Sequence, residues 1–131
     1  MKLYCRWALL VGVLPTMAAA DAGTVAIDGH VAMACQTRLN GAPVPLAAGV
    51  TQLGTLYSQC NDPAGFRVFA DTSANLGQAV LIVDGKRIAL QGGASTLVIA
   101  SAEPAMGSHA LALDLAQMPG GGTLSFRIQP L

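Results

Sequence analysis

Short apolar runs separated by turn-forming residues recur along most of this chain, and they limit the folds it can adopt. Examples are "FRVFADT" (66–72) and "TLSFRIQPL" (123–131). In the second run Leu124, Phe126 and Ile128 alternate with Ser, Arg and Gln, the period-two pattern of a strand with one buried face. Seven or eight such runs with regular turns predict an all-β sandwich.

Two segments carry more specific predictions. Asp84-Gly85 lies between apolar runs and predicts a hairpin with strands over 80–83 and 87–90, because glycine accepts the positive φ that tight turns require. The segment "HALALDLAQM" (109–118) fits either a helix face or a strand face. Its three leucines at strict alternation favour the strand.

The cysteines test this topology. If a strand over 31–39 turns back and pairs antiparallel with a strand over 50–60, Cys35 and Cys60 are equidistant from the loop centre and face each other. We therefore expect them to form a disulfide, as is common in exported chains. A metal pair is the alternative, but it needs further ligands at short spacing, and the two histidines lie far apart.

The first twenty residues have the composition of a signal peptide. Lys2 and Arg6 precede a short apolar run, and Ala18-Ala19-Ala20 fits a cleavage site before Asp21. An N-terminal membrane anchor is the alternative, although the apolar run is short for a membrane span. We expect residues 1–20 to be removed and residues 21–131 to form one domain.

Composition argues against several classes of function. After residue 20 the chain has five Lys and Arg against seven Asp and Glu, a net charge of about −2, so nucleic acid is not an expected partner. Asp28 and His30 share a face of the opening strand, but no nucleophile motif, metal-binding helix or phosphate-binding loop accompanies them. We therefore expect no catalytic residues, no metal site, no cofactor and no enzymatic activity.

The stretch "TVAIDGHVAMAC" (24–35) raises a different question. Val25, Ile27, Gly29 and Val31 occupy its odd positions, and smaller or more polar residues occupy the even ones. This alternation predicts a strand with one apolar face close to the expected mature N-terminus. One interpretation is an ordinary edge strand that packs on its own domain.

The order of three motifs resembles a known family. "GTVAIDGHVAMAC", then Leu53-Gly54, then "CNDPAGF" (60–66) is similar to the front half of bacterial chaperone–usher pilin subunits and of the related spore coat protein U-like secreted pilins. The resemblance covers residues 23–68 and the apolar final strand. It implies an immunoglobulin-like sandwich that lacks its last strand, with one disulfide inside the domain.

The same resemblance implies a function and site residues. Residues 21–29 would form a donor-strand extension for a neighbouring subunit, with Val25, Ile27, Gly29 and Val31 as its inserted positions. The last strand would pair with a periplasmic chaperone through Leu124, Phe126 and Ile128. The expected partners are other pilin subunits, the chaperone and an outer-membrane usher. The expected localisation is the periplasm and then a fimbrium (an adhesive pilus) on the surface of a Gram-negative bacterium. A monomeric secreted or periplasmic binding module is the alternative, and a small periplasmic enzyme is a third hypothesis.

Overall fold

The computed structural model of the protein describes residues 26–117 and 120–131. The chain divides into two units, residues 1–30 and residues 31–131. Within the first unit, residues 26–30 are exposed and form no helix or strand. The predicted signal peptide and Val25 lie outside the described residues.

The second unit is an all-β sandwich of two antiparallel sheets, which confirms the predicted fold class. One sheet has the order β1-β2-β7-β4-β5 and the other has the order β6-β3-β8. A 3-10 helix, Ala74–Leu76, connects β3 to β4. The strands are β1 Cys35–Asn40, β2 Gly49–Cys60, β3 Phe66–Thr72, β4 Val80–Val83, β5 Lys86–Ala89, β6 Ser95–Ser101, β7 Ala105–Leu115 and β8 Leu124–Pro130.

The order of neighbouring strands matches that of an immunoglobulin domain for six of the eight strands, and β5 and β6 have no counterpart in a constant-type domain. The sequence β1-β2-β7-β4 corresponds to strands A-B-E-D of a constant-type domain, and the pair β3-β8 corresponds to C-F. In such domains strand G pairs with the outer edge of F. Among the residues that the structure describes, no strand takes that place beside β8.

The predicted pairing of the two cysteines is confirmed. Cys35 and Cys60 are directly opposed in the β1–β2 register and form a disulfide. On its other side, β2 pairs with β7, and a bulge shifts the β2–β7 register between Gln52 and Gly54. Gly54 has φ of 112°, and a Cβ atom there would collide with the carbonyl oxygen of Asn40. Only glycine allows the two strands to approach this closely.

The predicted hairpin is also confirmed. β4 and β5 pair antiparallel through the two-residue turn Asp84-Gly85, with φ of 48° and 82°. Two successive positive φ values define the hairpin turn that suits the right-handed twist of the flanking strands. The ambiguous segment 109–118 lies on β7 as far as Leu115, so the interpretation as a strand was correct there.

The core lies between the sheets and is mostly aliphatic. Inward residues alternate along each long strand, so that Phe66, Val68 and Ala70 of β3 are buried. From the opposite sheet they meet leucines that are also buried: Leu56, Leu81, Leu111, Leu113 and Leu115. Phe66, on the inward face of β3, is 2% exposed.

Two expectations about strands need correction. The alternation over 24–35 predicted a strand, but residues 26–34 form none, and β1 begins at Cys35. No neighbouring strand supplies hydrogen bonds there, and alternation alone cannot replace them. Phe126 and Ile128 face the core as expected, yet both are only partly buried. Their strand lies at an edge of the sandwich, where one side is open.

Candidate strand-acceptor edge

Each sheet ends in two edge strands, and three of the four carry features that discourage pairing with another chain. β5 is only four residues long and carries Lys86 and Arg87. β6 has a bulge, because Val98 has no direct partner between the Val68–Ile99 and Phe69–Leu97 pairs. β1 is six residues long and includes Arg38. Short length, charge and bulges are the usual protections of a sheet edge.

β8 has the fewest of these protections among the four edge strands: it has no bulge, and proline, which also blocks edge pairing, occupies only its last position, Pro130. It pairs with β3 in an unbroken register from Thr72–Leu124 to Phe66–Pro130. Its one charged side chain, Arg127, is turned across the sheet towards β3. There it donates to Asp71 at 3.4 Å and lies 5.0 Å above the ring of Phe69. The outer edge of β8 therefore presents backbone donors and acceptors over most of its length, but Pro130 at its end has no N–H to donate.

The apolar face of β8 is incompletely covered. Leu124, Phe126 and Ile128 pack against the core but keep part of their surface in solvent. A strand added to the outer edge of β8 would pair with its backbone and place alternate side chains beside this row. This edge of β8 is therefore the candidate site for a further strand.

β1 borders the same side of the sandwich. Cα atoms of β1 and β8 approach within 8 Å of each other, although the two strands belong to different sheets and share no ladder. Neighbouring strands in a sheet are ~4.8 Å apart. Because β1 lies less than two strand spacings from β8 where the two approach, a strand added to β8 would have to displace β1 there or run outside it.

The predicted donor residues that the structure describes are exposed. Ile27 and Gly29 belong to the first unit, where Ile27 is 92% exposed. In the second unit, Val31 is 80% exposed and Met33, which the sequence did not single out, is 61% exposed. These apolar side chains occupy odd-numbered positions of the segment, and all of them are exposed. Such a run of exposed apolar side chains is typical of a segment that binds a partner.

The sequence analysis missed a polar contact that ties the hairpin turn to β7. Asp84 accepts a hydrogen bond from the backbone N–H of Ala110 at 2.8 Å, and its second carboxylate oxygen lies 2.7 Å from Nδ1 of His109. These two contacts lower the pKa of Asp84 below its usual 3.8. The hydrogen bond with His109 has the larger effect, and the hydrogen bond with Ala110 the smaller one. Asp84 and His109 are 25 residues apart, so no local pattern indicated the contact.

This contact predicts a loss of stability in acid. The pKa of Asp84 is lower in the folded state than in the unfolded state. The stability that its ionised carboxylate contributes is therefore fully present above pH 3.8 and is lost as the pH falls through the pKa of the folded state. We expect Asp84→Asn to lose less stability than the wild type between pH 5 and pH 2. Asparagine also tolerates the positive φ of the turn. Denaturant unfolding across this pH range measures the difference, and Asp28→Asn, at an exposed position, is the control. Identical pH profiles for Asp84→Asn and wild type would contradict the prediction.

The described residues contain one buried hydroxyl without a hydrogen-bond partner, that of Ser58. Ser58 is 1% exposed and lies opposite Gly107 on β7. A nucleophile must be accessible to its substrate, and this hydroxyl is enclosed in the sandwich. Asp28 and His30, the one acid–base pair noted in the sequence, are both exposed.

The described residues contain no group of three or more His, Cys, Asp or Glu side chains arranged to hold a metal ion. Nor do they include a helix that is long and apolar enough to span a membrane.

Taken together, the described residues form a disulfide-bonded all-β sandwich with an unbulged edge strand, β8, and exposed apolar side chains before its first strand. Comparisons with protein-family models, with curated proteins and with solved structures found no significant match to this chain.

Proposed function

We propose that the protein is a structural subunit of an exported surface fibre and that it polymerises by donor-strand exchange. The N-terminal segment of one subunit adds as a strand to the β8 edge of the next. The observation that carries the proposal is the partly exposed apolar row Leu124, Phe126 and Ile128 on an edge strand that pairs with β3 in an unbroken register. The exposed residues Ile27 and Val31 supply the matching alternation.

This contact would be heterologous, since the donor segment and the acceptor edge are different surfaces of the subunit. A heterologous contact that does not close on itself produces a linear fibre. Backbone hydrogen bonds along β8 would supply affinity, and the alternate side chains would supply specificity. The cysteine pair is consistent with export, because disulfides persist in oxidising compartments.

The remaining parts of the proposal come from the resemblance to pilins. Residues 1–20 serve as a signal peptide. A periplasmic chaperone covers the β8 edge before assembly, and an outer-membrane usher releases subunits into a fimbrium that functions in cell adhesion.

A monomeric secreted or periplasmic binding module is the second candidate function. The observation that favours it is the approach of β1 and β8 to within 8 Å, which partly closes the open side of the sandwich without any added strand. In that case the β8 edge would accept no strand, and a ligand would bind elsewhere on the domain.

A peptide experiment separates the two functions. The full chain with Ile27→Asp, whose own segment is disabled as a donor, is mixed with a labelled peptide of residues 21–33. We expect saturable binding, together with slower hydrogen exchange in β8, because the added strand would protect its outer amides. The same substitution within the peptide should weaken binding at least ~100-fold, since it would bury a carboxylate without a partner.

The matched control is a peptide with Ala26→Asp, which adds the same charge one residue earlier and on the opposite face of a strand. It should bind nearly as well as the wild-type peptide. Equal weakening by both substitutions would indicate binding that does not depend on alternation. If the wild-type peptide leaves hydrogen exchange in β8 unchanged, the fibre hypothesis fails and the binding module is favoured.

A further inference from the structure

The root of the N-terminal segment, residues 32–34, is held by a side chain rather than by a strand. The backbone N–H of Ala34 donates to Oδ1 of Asn61 at 2.6 Å, and Nδ2 of Asn61 donates to the carbonyl oxygen of Ala32 at 2.8 Å. The backbone N–H of Asn61 also donates to the carbonyl oxygen of Ala34 at 3.2 Å. One residue therefore makes three hydrogen bonds to this root.

The reason lies in the way β2 ends. After Cys60 and Asn61 the chain turns at once: the N–H of Ala64 donates to the Asp62 side chain at 2.9 Å, and the N–H of Gly65 donates to the carbonyl oxygen of Asp62 at 3.0 Å. Pro63, within this turn, has no N–H to donate. β2 therefore provides no further backbone partner for residues before Ala34. The carboxamide of Asn61 has the donor and acceptor of a peptide group and takes over this role.

This arrangement extends the β1 ladder to Ala32 without extending the strand itself. Residues 32–34 keep a defined path in the isolated subunit, although all three are exposed. A segment that is already ordered loses less conformational entropy when it binds than one that is free.

We propose that Asn61 is a positioning residue for strand donation: it orders the root of the N-terminal segment so that only the residues before it remain to be ordered on a neighbouring subunit. The inference rests on the proposed function. It assigns Asn61 to the donor side of the contact and gives it no part in the acceptor edge at β8.

The test measures donation and acceptance separately with full chains. The Ile27→Asp chain is labelled and serves as an acceptor that cannot donate. Unlabelled wild-type or Asn61→Ala chains serve as donors, and fluorescence anisotropy follows complex formation. We expect Asn61→Ala to donate roughly tenfold more weakly than wild type. Its Ala34 amide should also exchange faster, because the acceptor at Oδ1 has been removed.

Acceptance is measured with a labelled Ile27→Asp/Asn61→Ala chain and wild-type donors, and it should be unchanged. Gln59→Ala is the control donor, since Gln59 contacts Gln36 across the same strand pair at 3.4 Å without touching residues 32–34. It should donate normally. Asn61→Asp keeps the acceptor oxygen and loses the donor to Ala32, so its donation should be intermediate.

Each outcome decides the matter. Weaker donation with normal acceptance supports the proposal. Equal loss of both, or loss of neither, overturns it, because the first indicates a structural role and the second no role. If wild-type chains fail to donate to the labelled acceptor, the proposed function itself is wrong and this inference falls with it.

Discussion

Replacing Phe66 with alanine should lower the free energy of unfolding by ~3–5 kcal/mol. Phe66 is 2% exposed at the start of β3 and belongs to the central cluster between the sheets. Its removal leaves a cavity that the surrounding strands cannot fill, because their register is held by ladders on both sides of β3. Denaturant unfolding of the purified chain measures the change.

The informative comparison is Phe126→Ala, the same substitution on β8. Phe126 is only partly buried, so we expect about half the loss seen at Phe66. A difference in this direction would agree with an open edge at β8. Equal losses at the two positions would mean that Phe126 is as well covered in solution as Phe66, and they would count against a strand-acceptor edge.

Loss of the disulfide is the second large effect that we expect. Cys35 and Cys60 are 25 residues apart, and closing such a loop stabilises a fold by ~3.5 kcal/mol in the chain-entropy model. This is a large share of the ~5–15 kcal/mol that holds a typical domain folded. The Cys35→Ala/Cys60→Ala double variant, compared with the oxidised wild type by denaturant unfolding, should show this loss. The double variant avoids the free thiol that a single substitution would leave.

Mass spectrometry of the unreduced chain provides the accompanying check. It should find Cys35 and Cys60 linked within one molecule. Two free thiols after purification from an oxidising compartment would contradict the predicted disulfide. A loss of stability below ~1 kcal/mol in the double variant would show that the closed loop adds little to the fold.

The β8 edge and the exposed apolar residues before β1 have a common physical consequence. An edge strand without a bulge is a template for pairing, and an exposed apolar segment can supply the strand that pairs with it. A chain with both would aggregate unless the two surfaces met each other in a defined way or were covered by another protein. Donor-strand exchange and a covering chaperone would meet these needs.

The sequence by itself determined the type and approximate position of most strands. Alternation over 66–72 and 124–130 specified which side chains point to the core, because successive residues of a strand face opposite sides. The turn at Asp84-Gly85 and the opposition of Cys35 and Cys60 followed in the same way from local geometry. These inferences needed only the residues within one strand or one pair of strands.

Tertiary structure alone decided how well each face is covered and which side chains meet. The pattern over 24–35 is as regular as that of β8, yet residues 26–34 form no strand, because a strand requires a neighbour and alternation does not provide one. Phe126 faces the core but stays partly exposed, since its cover depends on what lies beside β8. The contact of Asp84 with His109 and the hold of Asn61 on Ala32 and Ala34 join residues 25 or more positions apart. Such contacts depend on where each strand ends relative to its neighbour, and the folded chain sets that relation.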